Sequence, residues 1–394
     1  MNQPWLGDLV AYAFANAPSI RSILEDAQVS AESVQSVDDL QDVPILRKDT
    51  LLDLQRERPP FGGFLGIPED KLVRVFMSPG PLFDPQGPEA DYWHFGPALE
   101  AAGFVSTDIV LNAAAYHFTP LGFIFDDAAR SLGCRVIPSG VGNTELQVTA
   151  ARELRATAYC GTPSFLKIIL DKALELGAEL RLRRAFVGGE MLPESLRSSI
   201  QSMGVSVRQG YGTADLGCLG YECSELCGFH VPEQAIVEIV DPTTSECVPV
   251  GQSGEVVATV NNRTYPLLRF GTGDLSALDE SPCHCGRTSP RLLDIRGRVG
   301  DAVKVRGMFV HPRQLDEVLA RFSEVKRYQA TVDQVDGRDV FVIRVEVTDQ
   351  ANNLANRVAD LARDILHVRP DVEVVPLGTI GQDEKKLEDR RSWN

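Results

Sequence analysis

The sequence of 394 residues has no long uninterrupted hydrophobic run. Its longest apolar stretches, such as residues 113–125, are broken by His, Thr, Pro and Gly and fall short of the roughly 20 residues that span a bilayer as a helix. The opening segment MNQPWLGDLV lacks the basic region and the apolar core of a secretory signal. We therefore expect no membrane span and a cytoplasmic location.

An excess of positive charge is also missing. The chain has 39 Lys and Arg residues against 55 Asp and Glu residues, which gives a formal net charge of -16 at pH 7. Proteins that bind nucleic acids generally need a basic surface, because many of their contacts are made to phosphates. The charge balance therefore argues against nucleic-acid binding and is that of an ordinary cytosolic protein.

Cysteine is sparse, and the eight residues present are expected to be thiols or metal ligands rather than disulfides. Cys283 and Cys285 form a Cys-x-Cys pair, while Cys223, Cys227 and His230 lie together in YECSELCGFH. A tetrahedral zinc ion needs four of these five donors and would join two loops that are far apart in the sequence. The other cysteines are expected to be small core residues: Cys134, Cys160, Cys218 and Cys247.

Strand and helix patterns alternate regularly from about residue 101. The apolar run DIVLNAAA predicts a buried strand, CRVIPSG and TAYCG predict further strands, and the segments between and after them predict helices. Units of this length predict a parallel sheet covered by helices. Residues 1 to about 70 predict helices and loops, whereas the stretch 59–90 is rich in Pro and Gly and predicts irregular structure.

The pattern changes near residue 236. Short strands between residues 236 and 277 predict a small β subdomain. Beyond residue 297, a strand KVRGMFV, a helix that begins with Pro, two alternating strands, a second helix and a last strand predict a compact α+β unit. We therefore expect an α/β fold with an N-terminal core, residues 1–297, and a C-terminal α+β domain, residues 298–394.

Residues 265–313 carry the densest set of motifs. A carboxylate on the tight Thr-Gly-Asp turn, at Asp274, is suited to accepting both hydroxyls of a ribose, and Arg298 could meet the same sugar or its phosphate. The ordered set YGTADLG, RFGTGDL, CHCGRTSPR, GRVGDAVKVRG and VHPRQLDEVL resembles the phenylacetate-CoA ligase branch of the adenylate-forming enzymes. The resemblance extends from about residue 73 to the end of the chain.

This resemblance implies an AMP-forming, ATP-dependent acid-CoA ligase whose substrate is an aryl or arylacetic acid. ATP and the acid would give an acyl-adenylate and pyrophosphate, and the CoA thiolate would then displace AMP. Two alternatives stay open: an adenylating enzyme whose acceptor is a carrier-protein thiol or an amine, and a nucleotide- or acyl-binding protein without ligase activity. The expected partners are small molecules, and the sequence leaves a homodimer open.

The resemblance also implies site residues at the ends of parallel strands, where α/β proteins bind nucleotides. Tyr211 would stack on the adenine, and Thr213 would touch the phosphate. Asp215 would hold Mg²⁺, at a position where the family usually has Glu. The implied nucleotide contacts are Ser78, Gly188, Gly189, Glu190, Tyr211, Gly212, Asp274 and Arg298.

The phosphate-binding loop departs most from the family pattern. Adenylate-forming enzymes generally have a Ser/Thr/Gly-rich loop that ends in Lys, whereas the corresponding run here is FMSPGP. Ser78 and Gly80 are retained as phosphate contacts, but no threonine pair or lysine follows, and two prolines remove backbone donors. The alternative is a rigid Pro-Gly connection with no role in binding.

An aromatic segment, AYHFTP, follows the first predicted strand of the sheet. Tyr116 and His117 could meet the carboxylate of an apolar acid in a pocket that Gly212 also lines, and the alternative is that they are ordinary core residues. Thr162, at the end of another strand, could line the same pocket, but we expect it to cap the helix that follows.

In the C-terminal domain, the resemblance implies mobility and a lysine that stabilises the charge developing during adenylation. Lys386 is the best match in GQDEKKLEDRR, with Lys385 adjacent, and a solvated charge run is the alternative. The hinge between the domains is expected at Gly300, with Asp301 as the alternative. Zinc-bearing members of the family imply one structural ion and the ligands Cys223, His230, Cys283 and Cys285, with Cys227 in reserve.

Overall fold

The computed structural model describes residues 3–78, 81–242, 244–252, 254–295, 298–299, 303–306, 308–310, 312–335, 338–348, 353–366, 368–381 and 384–391. The chain divides into two compact units, Met1–Gly297 and Arg298–Asn394. Within the ranges described, no helix combines the length and the apolar character that crossing a membrane requires.

The described helices of the first unit are α1 (Leu6–Asn16), α2 (Pro18–Asp26), α3 (Lys48–Glu57), α4 (Gly96–Ala101), α5 (Leu121–Ser131), α6 (Thr144–Glu153), α7 (Pro163–Glu175) and α8 (Glu194–Ser202). Its described strands are β1 (Leu46–Arg47), β2 (Arg74–Ser78), β3 (Leu82–Gln86), β4 (Ile109–Asn112), β5 (Arg135–Pro138), β6 (Ala158–Gly161), β7 (Arg184–Val187), β8 (Ser206–Thr213), β9 (Gly217–Glu222), β10 (Phe229–His230), β11 (Ala235–Val240), β12 (Gly254–Val260), β13 (Phe270–Ser276), β14 (Leu278–Asp279) and β15 (Arg291–Leu292). The second unit contains β16 (Val303–Val305), β17 (Met308–Val310), α9 (Pro312–Leu319), β18 (Val325–Val335), β19 (Arg338–Val347), α10 (Leu354–Leu366), β20 (Asp371–Pro376) and β21 (Leu387–Asp389).

The main sheet of the first unit has the order β14-β15-β10-β9-β8-β7-β6-β4-β5. Its strands from β5 to β8 are parallel neighbours, and β9 continues the sheet antiparallel to β8. One face packs against α4 and α5, and the other packs against α6, α7 and α8. The predicted alternation of strands and helices is therefore confirmed. The apolar runs of β4, β6 and β7 reflect strands that are buried on both faces, whereas β5 at the edge of the sheet is partly exposed.

Close packing in this core explains one of its glycines. Phe186 of β7 is fully buried, and burial of a side chain of this size stabilises the fold by about 1.5–3 kcal/mol. A Cβ at Gly210 of β8 would lie 2.4 Å from the Phe186 ring. The glycine therefore lets the ring lie directly against the neighbouring strand. This contact fixes the position of β8, whose last residues enter the candidate site.

A second sheet has the order β1-β13-β12-β11 and forms the predicted β subdomain. Strand β1, which lies in the predicted helix and loop region, adds to its edge parallel to β13. The buried guanidinium of Arg269 explains this addition, because it donates to the backbone oxygens of Gln41 and Val43 while it also pairs with Glu238. A charged donor that satisfies backbone oxygens holds the N-terminal segment against the sheet.

The prediction of irregular structure over residues 59–90 is wrong in part, because β2 and β3 form an antiparallel hairpin there. Their register pairs Ser78 with Leu82, so the strands are joined by only three residues. Phe76 is buried whereas Val75 and Met77 are exposed, which is the alternation of a strand with one packed face. This hairpin lies where the family's phosphate-binding loop is expected.

The second unit is built on the sheet β20-β19-β18-β21, with α9 and α10 contributing to one apolar core. The segment KVRGMFV is a hairpin of β16 and β17 rather than the predicted single strand. Arg306 has a positive φ of 48°, and its backbone N–H donates to Asp339, so the chain turns at this point. Strand β21 lies in the predicted charge run and pairs in parallel with β18, because Leu387 within it is buried.

Candidate active site

Two motifs meet at the end of β8. The hydroxyl of Tyr211 donates to Oδ2 of Asp274 at 2.9 Å and lies 3.3 Å from Oγ1 of Thr272, although Tyr211 and Asp274 are 63 residues apart. The Thr272 hydroxyl donates to the carbonyl of Val256 and accepts from the backbone N–H of Asp274, which fixes the turn. Gly273 has a positive φ of 74°, which glycine adopts without strain. The turn therefore holds a carboxylate and an aromatic ring side by side.

The loop after β7 lies at the same edge of the sheet. Gly189 has a positive φ of 75°, and Oε2 of Glu190 accepts a hydrogen bond of 2.6 Å from Ser164. The side-chain amide of Gln209 in β8 donates to the carbonyl of Glu190 at 2.9 Å. The predicted cap is wrong, because the side chain of Thr162 makes no capping hydrogen bond to α7 and instead lies 3.4 Å from Ser164 Oγ.

The turn after β8 carries the predicted cation ligand. Oγ1 of Thr213 accepts from the backbone N–H of Leu216, and the indole N–H of Trp93 donates to the carbonyl of Ala214. Gly217 follows with a positive φ of 84°, and a Cβ there would lie 2.5 Å from the carbonyl oxygen of Trp93. The close approach of Trp93 therefore fixes the backbone on both sides of Asp215.

Two residues that the motifs do not contain surround Asp215. The ammonium of Lys48 lies 3.4 Å from Oδ2 of Asp215, and the side chain of Asp84 in β3 faces both Asp215 and Ser78. Burial raises the pKa of Asp84 well above its usual range, and the neighbouring Asp215 carboxylate raises it further. The only sequence signal for Asp84 is that it is the single acidic residue in the short apolar run PLFDP.

The environment of Asp215 fits a hard divalent cation. Its side chain is nearly fully buried, and within the described chain its Oδ1 has no hydrogen-bond partner. A buried carboxylate oxygen without a donor is costly unless a cation binds to it. Mg²⁺ prefers such oxygen ligands and completes its octahedron with water or phosphate oxygens.

The side chains of the aromatic segment after β4 lie in different environments and do not form one continuous pocket wall. The Tyr116 hydroxyl accepts from the side-chain amide of Asn112 at 2.6 Å and donates to Asp126 at 3.0 Å. Burial, followed by the Asp126 carboxylate, raises the pKa of Tyr116. His117 is exposed, and its ring packs edge-on against the exposed Phe118. The Tyr116 hydroxyl is thus bonded within the protein, whereas the His117 ring lies at the surface.

The predicted zinc ligands come together just after β9, on β10 and in the loop before β15. One ligand atom from each of the four residues lies within 4.8 Å of the others: Cys223, His230, Cys283 and Cys285. The sulfurs of Cys223 and Cys283 are 3.8 Å apart, and Cys285 Sγ is 3.4 Å from His230 Nε2. Zinc–sulfur bonds of about 2.3 Å in a tetrahedron place two sulfurs about 3.8 Å apart, so the cluster has the dimensions of a zinc site.

Neighbouring groups prepare these side chains for a metal. Burial, followed by Arg287 and Arg291, lowers the pKa of His230 and keeps its ring neutral. Its Nδ1 lies 3.1 Å from Ser289 Oγ, which orients the ring. Burial raises the pKa of the Cys285 thiol, but hydrogen bonds from Arg287 outweigh it and bring the pKa down to about 7. The guanidinium of Arg291 donates to Cys227 Sγ at 2.6 Å, and this sulfur of the reserve ligand also lies 3.7 Å from Cys283 Sγ.

The remaining cysteines divide into two groups. Cys134, Cys160 and Cys218 are buried, as predicted. Cys247 is exposed, so its assignment to the core is wrong. Its Sγ lies 3.5 Å from Oε1 of Glu238, at the edge of the second sheet.

In the second unit, Lys386 immediately precedes β21. Its ammonium contacts both carboxylate oxygens of Asp316, at 2.7 and 2.9 Å, and lies 5.7 Å from the centre of the Tyr328 ring. The adjacent Lys385 is exposed, and Arg298 is the first residue of this unit. The predicted hinge residues Gly300 and Asp301 and the predicted phosphate contact Gly80 lie outside the described residues.

Comparisons with known proteins agree with this architecture. The profile of the AMP-binding enzymes matches residues 99–262, and that of the AMP-binding enzyme C-terminal domain matches residues 307–391. The chain is 32% identical to the phenylacetate-coenzyme A ligase of Thermus thermophilus over 358 residues, which cover 86% of this chain and 79% of that one. It is 27% identical to the phenylacetate-coenzyme A ligase of Escherichia coli, with 95% and 90% covered.

Among solved structures, a 2-hydroxyisobutyryl-CoA ligase in complex with 2-HIB-AMP and CoA superimposes with a TM-score of 0.88 at 23% identity. The match covers 98% of this chain and 88% of that chain, so the two share a fold. The sheets, the strand-end loops and the small C-terminal unit therefore define an AMP-binding, adenylate-forming enzyme. Within that class, the chain belongs to the phenylacetate-CoA ligase family and is an ATP-dependent, AMP-forming acid-CoA ligase.

Proposed function

We propose that this enzyme activates an aryl or arylacetic acid as its acyl-adenylate and then transfers the acyl group to CoA. The observation that carries the nucleotide site is the hydrogen bond from Tyr211 to Asp274, which places an aromatic ring beside a carboxylate at the strand ends. The phenylacetate ligases among its relatives and the aromatic segment around Tyr116 support an aryl substrate. Tyr116, His117 and Gly212 would line the acid pocket.

In this proposal, the first half-reaction depends on placing charges around the phosphates. Asp274 accepts the ribose hydroxyls, Tyr211 stacks on the adenine, and the loop from Gly188 to Glu190 lies along the ring edge. Ser78 and Thr213 contact the phosphates, and Arg298 meets the ribose or phosphate from the C-terminal domain. Mg²⁺ on Asp215 would neutralise phosphate charge, which is the chemistry that a divalent ion supplies in phosphoryl and adenylyl transfer.

The C-terminal domain would supply the second set of functional groups. Lys386 stabilises the negative charge that develops as the acid attacks the α-phosphate. Its pairing with Asp316 supports this role, because the carboxylate and the Tyr328 ring hold the ammonium in one orientation. The domain rotates about Gly300 between the two half-reactions, so that CoA reaches the adenylate after pyrophosphate has left.

We further propose that Cys223, His230, Cys283 and Cys285 bind one structural zinc ion. The distances among their ligand atoms and the neutral state of His230 support it. Four protein ligands close the coordination sphere, so the ion has no open position for catalysis. Its effect is to join the end of β9 and β10 to the loop before β15, in the same sheet as β8, which carries Tyr211.

Pyrophosphate release with a panel of carboxylic acids tests the function, with each acid assayed with and without CoA. Phenylacetate and benzoate derivatives should release pyrophosphate, and CoA should convert the bound adenylate into a thioester seen by mass spectrometry. Thioesters of short aliphatic acids alone would contradict the aryl assignment. Adenylate formation that is discharged only by an amine or by a carrier-protein thiol would contradict the CoA step.

The short connection of only three residues between β2 and β3 favours one rival, a protein that binds nucleotide without adenylation. Such a protein would bind AMP in calorimetry but release no pyrophosphate with any acid. Our proposal is wrong if the zinc-loaded, full-length enzyme behaves in this way at saturating ATP and Mg²⁺.

A smaller change tests the ring at the nucleotide site. Tyr211→Phe removes one neutral donor to a carboxylate, so AMP affinity should fall by about 0.5–1.5 kcal/mol while the stacking face is kept. Tyr211→Ala should cost more, because stacking is lost as well. Titration calorimetry with AMP measures both variants, and equal affinity of Tyr211→Ala and the parent enzyme would remove this residue from the site.

A further inference from the structure

Three buried side-chain oxygens of β2, β3 and the turn after β8 lack hydrogen-bond partners among the residues described: Ser78 Oγ, Asp84 Oδ2 and Asp215 Oδ1. Each residue is at least nine-tenths buried, with exposed fractions of 6%, 3% and 6%. Asp84 faces the other two side chains. Two buried carboxyl oxygens and one buried hydroxyl without partners among the described residues carry a large desolvation cost. Such a set is suited to a bound cation.

The charges at this place lead to the same conclusion. With both acids ionised, as cation binding requires, the carboxylates of Asp84 and Asp215 face one ammonium, from Lys48, whose side chain is 38% exposed and 3.4 Å from Asp215. In the segment FMSPGP, no lysine follows Ser78 that would balance the charge of the second carboxylate. Nucleotide phosphates would therefore approach an excess of negative charge, which repels them unless a cation lies between.

We infer that Asp84 is a second protein ligand for the divalent cation, so that Asp84, Asp215 and Ser78 bind the cation before any nucleotide is present. This inference rests on the proposed nucleotide site at Asp215 and extends it to a residue outside the motif set. Three protein oxygens leave the other positions of an octahedral ion for water or phosphate oxygens. The cation then takes over the phosphate-neutralising role that a loop lysine has elsewhere.

A requirement on binding order follows. In a site where a single carboxylate binds the ion weakly, the cation enters the site already bound to the phosphates of the nucleotide. With two carboxylates the protein competes for the free ion, because affinity rises with the number of charged ligands. ATP binding to this enzyme should then depend more strongly on free Mg²⁺ than adenosine binding does.

The test is a titration of the zinc-loaded, full-length enzyme with Mn²⁺ in the absence of nucleotide, followed by electron paramagnetic resonance. We expect one site that Mg²⁺ displaces, and at least about tenfold weaker binding in Asp84→Asn, because one charged ligand is lost. Ser78→Ala should weaken binding by a smaller factor. Lys48→Met should bind Mn²⁺ at least as tightly as the parent, because it removes a competing positive charge.

Asp127→Asn is the matched control. Asp127 of α5 is a half-buried carboxylate that accepts a hydrogen bond from Gln86, which lies on β3 as Asp84 does. Its Mn²⁺ affinity should equal that of the parent. Equal Mn²⁺ binding by Asp84→Asn and the parent would overturn the inference, as would an enzyme that takes up no Mn²⁺ without nucleotide.

Nucleotide calorimetry separates this inference from the proposed function. Binding of ATP to the parent with Mg²⁺, together with no nucleotide-free Mn²⁺ site, would refute the inference and leave the nucleotide site intact. A Mn²⁺ site that Asp84→Asn abolishes, together with no binding of ATP, AMP or adenosine, would support the cation site and refute the proposed function.

Discussion

Stripping the metal from the Cys/His cluster should destabilise the first unit by about 4 kcal/mol at a free zinc concentration a thousandfold above the dissociation constant. The purified enzyme should contain one equivalent of zinc by elemental analysis. Calorimetry before and after treatment with a chelator should show a lower unfolding midpoint for the stripped protein. Less than half an equivalent of zinc would contradict the assignment.

Zinc should stabilise the enzyme because the ion binds the folded state and has no preformed site in the unfolded chain. Cys283→Ser removes one of two sulfurs that lie 3.8 Å apart and should lower both zinc content and stability. Cys247→Ser is the matched control, because Cys247 is an exposed thiol on another sheet. A midpoint equally lowered in both variants would show that the loss does not depend on the metal.

Asp274→Ala should weaken AMP binding by about 1.5–3 kcal/mol, or roughly 10- to 150-fold in dissociation constant. The substitution removes the charged acceptor for the ribose hydroxyls and the partner of the Tyr211 hydroxyl. Asp274→Asn keeps one acceptor oxygen and should lose less. Titration calorimetry with AMP provides the measurement, and it should be made well below the unfolding midpoint of each variant.

Asp171→Ala serves as the control for Asp274, because Asp171 is an exposed carboxylate on α7 that pairs only with Lys167 among the described contacts. Its nucleotide affinity should not change. Affinity that is also unchanged in Asp274→Ala would exclude the Thr-Gly-Asp turn from the nucleotide site.

The sheet of the first unit could be predicted because its local signals agree. The buried strands are uninterrupted apolar runs, and the helices between them carry their own boundary residues. Asn143 adopts a left-handed conformation, and its side chain caps α6 by accepting from the backbone N–H of Leu146. Gly133, with a positive φ of 81°, follows the end of α5. Each element is therefore specified by residues within it or next to it.

Elements that depend on distant partners could not be predicted. Strand β1 has only two residues, and it exists because Leu46 pairs with Phe270 in β13. The β2–β3 hairpin contains Pro85 within a strand and prolines at its turn, a composition that indicates irregular structure. In both places the tertiary contact, rather than local propensity, determines the backbone.

The same division applies to the site. Motif order led to Tyr211 and Asp274, and ligand spacing led to the Cys and His residues, because these groups lie in recognisable local patterns. Asp84 and Lys48 lie in unremarkable segments of β3 and α3, and only the folded chain brings them to Asp215. The sequence also supplied five metal donors. In the folded chain four of them have ligand atoms within 4.8 Å of one another, while Cys227 accepts a hydrogen bond from Arg291 and lies 3.7 Å from Cys283.

The separation of the two halves of the Cys/His cluster also bears on the order of folding. Cys223 and Cys283 are 60 residues apart, and strands β11, β12 and β13 lie between the halves. Closing so long a loop before those strands pair has a high entropic cost. The antiparallel pairs β11–β12 and β12–β13 are joined by shorter connections and can form first. We therefore expect zinc capture to be a late event on the folding pathway, one that secures a nearly finished first unit rather than nucleating it.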